Sequence, residues 1–518
     1  MRLRAKYLGI ESGRKPVVTL CGDDAEELGV RSGERVRLRF NGREISAIVN
    51  IVTKSVRKGV VGIYDEVVKP LQVKENDMVE VEPAHFPVSL QYIRNKLKRR
   101  KLNYEEILEI VKDTVAGNLS EVEMAAFVVA LEQQGLDLDE ATSLTVAMVE
   151  TGQHLEIGRG PVCDKHSIGG VPGDKTTLLV VPIVAAAGLV IPKTSSRAIT
   201  SAAGTADRAE VLMPVTLSVE EMKGVVDRTS GCFVWGGSLH LAPADDVFVQ
   251  VEYPLSIDPM LLPSIMAKKR AVHADFLAID IPTGRGTKVK TIGDANLLAK
   301  DFIELGRRVE IKTQCLISYG EQPIGHAIGP ALEAREALQV LQGARNAPDL
   351  VDKAVHLCGL IFGMAGKGGG NSNGSRLALE ILRSGRADRK MREIMGQQGG
   401  NPDAKPDDIE VGEHRVDIRS ERSGTLLWLD NNLLVEIARA AGAPKDKKAG
   451  ILLYKKIGEK VKKGEPVLEI YAEKTTKLAL AEKIVPEESP FGIGDRMEMR
   501  IREVKEIPVA KKAFILER

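Results

Sequence analysis

Residues 164–177 read Asp-Lys-His-Ser-Ile-Gly-Gly-Val-Pro-Gly-Asp-Lys-Thr-Thr, and most of these residue types can hold an anion. Glycines let backbone amides approach a charged oxygen closely. Lys165 adds a point charge, and the hydroxyls of Ser167 and Thr177 add neutral donors. A helix predicted to begin near Asp174 and to continue through Leu178–Ala187 aims its positive end at the same place. Glycine-rich turns also join strands to helices where no ligand binds, so composition alone does not decide. The order Lys-His-Ser-x-Gly-Gly, followed closely by Gly-Asp, is more specific. A second loop, Pro282-Thr-Gly-Arg-Gly-Thr-Lys288, directly follows a predicted strand over 276–281. Open α/β sheets bind ligands at the carboxyl ends of their parallel strands. Arg285 and Lys288 thus offer a second place for negative charge, the plainer alternative being a solvated basic loop.

These loops need a scaffold, and the 518 residues are enough for three or four domains at ~150 residues each. Residues 1–84 carry short β-branched runs (Pro16–Leu20, Val36–Phe40, Ile45–Val52, Val60–Tyr64, Met78–Val81) split by turns such as Asn41-Gly42. That spacing predicts a small β-barrel with one short helix over 24–28. Pro83 to Pro87 reads as a linker. Ser120-x-x-Glu123 is a capping box, Gly135 stops that helix, and Asp137-x-x-Glu140 opens the next. From about residue 155 to 375, strand-like runs (276–281, 314–318) alternate with helical ones (178–187, 296–305), as in an α/β layer with a largely parallel sheet. Residues 423–518 turn β-rich again, with one helix predicted near 433–441.

The segment KHSIGGVPGDKTTL resembles the KHSxGGVGD signature of the pyrimidine and thymidine phosphorylases, with Pro172 as an extra residue. Ser195-Ser-Arg-Ala-Ile-Thr-Ser-Ala-Ala-Gly-Thr-Ala-Asp207 lies where that family has a Ser-Gly-Arg…Gly-Gly-Thr-x-Asp loop. Ser264-Ile-Met-Ala-Lys268-Lys269, followed by a strand, matches a third block. The resemblance spans residues 88 to 510. It is nearest to the nucleoside monophosphate (AMP) phosphorylase branch, typical of archaea, which carries SSRAIT, an extra β-domain in front and the 282–288 loop. The fold this implies is a multidomain α/β one. A β-barrel-like domain (1–84) precedes a helical domain in two segments (88–156 and 245–272). An α/β domain, also in two segments (157–244 and 273–422), is followed by a C-terminal β-rich hammerhead (423–518). Substrates would bind between the helical and α/β parts, which would close on them.

By this resemblance the reaction is phosphorolysis, AMP plus phosphate giving adenine and ribose 1,5-bisphosphate, with CMP and UMP as further substrates. Phosphate must be desolvated and aimed, the oxocarbenium-like sugar stabilised and the leaving base protonated. Phosphate is the co-substrate, and neither a cofactor nor a metal is expected. Lys165, Ser167, Thr177, Ser195 and Thr205 would hold the phosphate. Gly170, Ser196, Arg197, Ala198, Ile199, Thr200, Ser201, Thr205, Ser264 and Lys288 would contact the nucleotide, and His166 matches a histidine that contacts the base. Asp258 would be the proton donor. Two residues are missing between Asp258 and Ser264 relative to the branch, however, and Asp258-Pro259 also reads as a helix N-cap with proline at N1. Ser264 and Lys268, four residues apart, share a helix face. Asp207 reads as an N-cap or loop brace. The positive charge of Arg285 and Lys288 suits a 5′-phosphate; a plain nucleoside has no need of it. A thymidine or uridine phosphorylase is the alternative enzyme. An anthranilate-type phosphoribosyltransferase shares the fold but should need an acidic pair for magnesium pyrophosphate, which the key loops lack. From another class, a non-catalytic assembly or binding protein dominated by its β-domains is the remaining alternative.

The chain has 73 basic and 72 acidic residues, a net charge of +1 that argues against a protein coating nucleic acid or anionic membrane. The run Arg94–Lys101 has six basic residues in eight but no interleaved aromatics, and reads as a solvated loop between two helices. Residues 457–475 resemble a lipoyl or biotinyl hairpin with Lys474 near the modified position, which shared fold explains better than modification. Five dispersed cysteines without CxxC pairing, no apolar leader and no run near the ~18 apolar residues of a membrane span together predict a reduced cytoplasmic protein. By resemblance it should dimerise through the helical domain, or form a larger homo-oligomer.

Overall fold

The computed structural model describes residues 1–495 except Arg14, His85, Ile199, Thr200, Asn346, Gly370 and Glu488, and for residues 371, 372, 486 and 487 it describes the backbone alone. Six strands, Arg2–Tyr7, Val17–Cys21, Arg35–Phe40, Arg43–Val52, Val60–Ile63 and Met78–Pro83, close into a barrel. Their order is first, fifth, second, fourth, third, sixth. Alternate residues such as Leu3, Ala5, Val18, Leu20, Val36 and Leu38 fill it, as a period of two requires. Asn41 and Gly42, both with positive φ, make the hairpin between the third and fourth strands. Arg35 and Lys15 reach out of the barrel to Glu123 and Glu121, at the start of the Glu121–Gln134 helix.

A helical bundle follows: Ser89–Leu97, Tyr104–Val115, Glu121–Gln134 and Leu138–Glu150, joined later in the chain by Pro243–Leu255 and Leu261–Ala271. The Ser120 box forms as the sequence predicts: Ser120 Oγ accepts from Glu123 N at 3.3 Å, and Glu123 accepts from Ser120 N at 2.6 Å. Phe127 and Phe248 meet in the core with ring centroids 5.9 Å apart. The basic run is not a solvated loop throughout. Its first half lies in the Ser89–Leu97 helix, where Lys96 is buried and bonded to Glu140 at 2.7 Å. An amphipathic helix that needs a buried counter-ion for Glu140 looks, in sequence, like part of a charge run.

The α/β layer has parallel strands Cys163–Ser167, Phe276–Thr283 and Lys312–Tyr319, with Phe276–Thr283 in the centre. A bridge from Val162 to Val190 ties on a second parallel pair, Ile191–Ser195 and Gly231–Trp235. The helix expected from near Asp174 starts two residues later, at Thr176. Asp174 stays outside it and accepts from Thr176 N at 3.2 Å. This Thr176–Ala186 helix is buried nearly all round, which explains its unbroken apolar sequence. The helix predicted over 296–305 spans Ile292–Arg308, because Thr291 caps it by accepting from Asp294 N at 3.1 Å.

Residues after 413 form two antiparallel sheets, the first joined by the earlier strand Ala327–Ile328, with strands in the orders Ala327–Ile328, Gly450–Leu453, Pro466–Ala472, His414–Arg419 and Lys460–Val461, Gly424–Leu429, Phe491–Gly494. The expected helix is Asn431–Ala440, and a second one, Thr475–Glu487, corrects the expectation of a single helix here. Lys474 immediately precedes that second helix.

Candidate active site

The parallel strands carry a set of buried ions. Asp164, fully buried on Cys163–Ser167, accepts from Lys193 at 3.1 Å and Lys269 at 2.6 Å. Asp280, fully buried on the central strand, accepts from Ser167 at 2.7 Å and Ser318 at 2.6 Å and pairs with Lys353 at 2.7 Å. Lys353 also reaches Asp174 at 3.3 Å. Lys175 is held by Glu336 at 2.7 Å and by the carbonyls of Ile324 and Ala327. Each of these cations has a carboxylate partner, Lys193 and Lys269 sharing Asp164.

Lys165 is different. It is 2% exposed, and among the described residues it forms no ion pair within 4 Å. Its Nζ donates one long hydrogen bond, 3.4 Å, to Thr177 Oγ1 in the first turn of the Thr176–Ala186 helix. Ser195, which ends the neighbouring strand, has a buried Oγ without a hydrogen-bond partner. An ammonium, two hydroxyls and a helix start, shielded from water, are the electrostatic complement of a small anion. Burial lowers the Lys165 pKa, with Lys353 and Arg208 pushing the same way against Asp174 and Asp280. His166 is held well below its ordinary value, by burial first and then by Lys269, Lys193, Lys165 and Lys268, so its ring is neutral near pH 7. Burial also brings Lys193 down to about 7. A lysine with a lowered pKa loses its charge as pH rises through that lowered value. The KM for phosphate is therefore expected to begin its climb at a pH below the ~10.4 of an ordinary lysine. Initial rates against phosphate concentration between pH 7 and 10 check this, and a flat KM would remove Lys165 from the anion site.

The second cationic loop sits across the strand ends. Gly170 has φ +89°, and a Cβ there would lie 2.9 Å from the Lys288 amide nitrogen, so only glycine lets the two loops meet. Lys288 Nζ contacts Asp258 at 2.7 Å, and both side chains are nearly half exposed. Arg285 turns away, with its guanidinium 5.6 Å from the Trp428 ring in the C-terminal part. Asp258 does not cap the Leu261–Ala271 helix: Met260 holds the N-cap position, and the Asp258 carboxylate goes to Lys288. The N-cap reading of Asp258-Pro259 is corrected accordingly, because Pro259 lies in a turn two residues before the first helical residue, Leu261. Ser264 is half-buried on that helix, and Lys268 pairs with buried Asp245 at 2.5 Å.

Arg197 forks onto Glu210 with bonds of 2.7 and 2.6 Å and lies over the Trp235 ring. Asp207 braces the same loop, accepting from Ala198 N at 2.7 Å and Gly204 N at 2.8 Å. Ser196 precedes this brace, Ser201 donates to Ala203 O at 3.3 Å, and Thr205 opens the Thr205–Ala209 helix. Ile199 and Thr200 lie outside the described residues. The structure thus brings Lys165, Ser167 and Thr177 together with Asp280 and Asp174. It sets Gly170, Lys288 and Asp258 together, and it gives Arg197, Lys268 and Arg285 partners of their own. Sequence reasoning missed Asp164, Asp280 and Lys353. Asp280 carried a signal, a lone acid inside the apolar strand Phe-Leu-Ala-Ile-Asp-Ile.

A helical bundle beside a parallel α/β layer, with an unpaired buried ammonium at the strand ends, defines a glycosyl transferase fold. Residues 90–152 match the helical bundle domain and residues 159–388 the a/b domain of the glycosyl transferase family. Residues 428–490 match the pyrimidine nucleoside phosphorylase C-terminal domain. The fold is also similar to anthranilate phosphoribosyltransferase from Thermus thermophilus, with TM-score 0.51, 21% identity, and coverage of 59% of this chain and 99% of that one. The chain is 50% identical to the AMP phosphorylase of Thermofilum pendens over 95% of both chains. It is 47% identical to that of Methanococcoides burtonii over 98% of this chain and all of the other. The chain belongs to the AMP phosphorylase family. Among its described residues no helix is long and apolar enough to cross a membrane.

Proposed function

We propose that this chain catalyses phosphorolysis of nucleoside 5′-monophosphates, converting AMP and phosphate to adenine and ribose 1,5-bisphosphate, with CMP and UMP as further substrates. The observation that carries this reading is Lys165, a buried ammonium without a carboxylate partner, set across the strand ends from the accessible ammonium of Lys288. One phosphate binds at each. Lys165, Thr177, Ser195, Ser167 and Thr205 hold inorganic phosphate, and Lys288 holds the nucleotide's 5′-phosphate. A phosphate oxygen attacks C1′, the bond from C1′ to the base nitrogen breaks, and the base leaves with a proton. Neutral His166 hydrogen-bonds the base but has no charge to give up, which leaves Asp258 as the proton donor. Gly170 and Ser264 border the nucleotide. Arg197 acts by holding its loop in shape through Glu210, so that Ser196, Ala198 and Ser201 present their backbone to it; Ile199 and Thr200 are assigned to the nucleotide by the family resemblance alone. Lys268 and Arg285 support from behind. The enzyme works without a cofactor, in the cytoplasm, as a homodimer or larger homo-oligomer of the six segments 1–84, 88–156, 157–244, 245–272, 273–422 and 423–518.

The test is stoichiometry. Purified protein with AMP should release adenine only when phosphate is present and should consume one phosphate per adenine. Adenine release without phosphate would mean hydrolysis and would overturn the reading.

A further inference from the structure

The two strands that carry phosphate donors are paired only at their start. Lys165 and Ser167 lie on Cys163–Ser167, and Ser195 closes Ile191–Ser195. Cys163 N bonds to Val190 O at 2.7 Å beside the Val162–Val190 bridge, and among the described residues backbone pairing between these strands goes no further. Yet Lys165 and Ser195 must stand a fixed distance apart to hold one anion. Side chains take over where the backbone stops. Lys193, 4% exposed, reaches across and donates to Lys165 O at 2.6 Å. It also donates to Asp164 Oδ1 at 3.1 Å, the oxygen that accepts from Lys165 N at 2.7 Å. Both polar groups of the Lys165 backbone are thereby held by the buried pair of Asp164 and Lys193. Lys193 and Ser195 are two residues apart and share a face of their strand. Lys193 therefore ties Lys165 to the strand that ends in Ser195.

We propose that Lys193 is a positioning residue, which fixes the gap between the Lys165 ammonium and the Ser195 hydroxyl and so aims inorganic phosphate without touching it. This rests on the phosphate site given above. A misplacement of ~1 Å at a reacting group can cost on the order of a hundredfold in rate. Lys165 is a flexible stem with one 3.4 Å bond to Thr177, so its aim depends on how its backbone is held. The role needs two donors and no charge. Burial lowers Lys193 to about 7, with Lys269 and Lys165 pushing the same way against Asp164. A neutral amine keeps two N–H bonds, one for each of its two acceptors, so the tie holds in either form. Lys269 provides the contrast. It is just as buried and donates to the same carboxylate, at Oδ2 and 2.6 Å, but among the described residues it makes no bond to the Lys165 backbone.

Wild type, Lys193→Met, Lys193→Gln and Lys269→Met are compared in initial rates, with phosphate and AMP varied in turn, well below each melting temperature. Lys193→Met should raise the KM for phosphate about tenfold and lower kcat by about tenfold or more, with the KM for AMP within about twofold. Lys193→Gln, which keeps two N–H donors on a stem one bond shorter, should show the same pattern at smaller size. Lys269→Met takes a cation from the same acid and should lower the melting temperature, with both KM values within about twofold of wild type. A merely structural role would reduce the fraction of active enzyme, hence the apparent kcat, and leave the KM for phosphate where it was. A phosphate KM within about twofold of wild type in whichever Lys193 variant folds, or an equal rise in Lys269→Met, overturns the proposal. Wild-type enzyme that releases base from AMP without phosphate, or releases none with it, would instead overturn the phosphorolysis reading itself.

Discussion

Lys165→Met is expected to lower kcat/KM for phosphorolysis by about 10²–10³-fold, the range found when one preorganised donor is removed from a water-shielded anion site. Most of the loss should fall on phosphate, through its KM. The other buried lysines answer buried acids: Lys193 and Lys269 on Asp164, Lys353 on Asp280, Lys175 on Glu336. Removing any of those would take a direct ion-pair partner from a buried carboxylate and report on folding. Lys165 has Thr177 alone at 3.4 Å, so its removal breaks no direct ion pair, and Lys353 still contacts both Asp174 and Asp280. Methionine fills a similar volume without a charge to desolvate. The melting temperature of Lys165→Met should therefore equal or exceed that of wild type while activity collapses. Steady-state kinetics against phosphate and a thermal melt on the same preparation separate the two effects. A destabilised variant with normal phosphate KM would place Lys165 in the scaffold.

Lys288→Ala should raise the KM for AMP about tenfold to a hundredfold. A hydrogen bond to a charged group contributes roughly 1.5–3 kcal/mol, and each 1.4 kcal/mol is about a factor of ten. The side chain is nearly half exposed, so solvent screening favours the lower end. The backbone of the loop should survive, because Thr287 Oγ1 bonds to Gly284 O and Val289 O and Gly170 packs on the Lys288 amide. The KM for phosphate should stay near its wild-type value, since Lys165 forms a separate site. An unchanged KM for AMP would remove Lys288 from the 5′-phosphate.

What the sequence made legible was local. The barrel follows from alternation along strands such as Arg35–Phe40, and the Glu121–Gln134 helix from a cap and box within four residues. The Gly170 loop is legible for the same reason, since glycine types mark backbone geometry. The ion network is not local. Lys269 finds Asp164 across 105 residues, and Lys353 finds Asp174 across 179. No spacing rule reaches so far, so Lys165 could be named as a candidate from its motif, while its lack of a partner could not. Arg197 shows the converse. In sequence it is a free cation beside a small-residue loop, yet Glu210, 13 residues on, claims both of its terminal nitrogens. The Thr475–Glu487 helix escaped because its end, Ile484-Val485, carries strand-forming types and the preceding hairpin draws the eye to a β-fold.

Near-neutral total charge hides this arrangement, since the structural cations lie on buried acids and the two working ammoniums disappear in a sum of +1. The central claim is that Lys288 makes this a nucleotide enzyme and that Lys165 makes it a phosphorylase. The most direct test incubates the purified protein with phosphate and, in parallel, AMP, adenosine, thymidine or uridine, and measures released base. The account predicts adenine and ribose 1,5-bisphosphate from AMP, with kcat/KM at least a hundredfold above that for any of the three nucleosides. Equal or better turnover of adenosine, thymidine or uridine would contradict it.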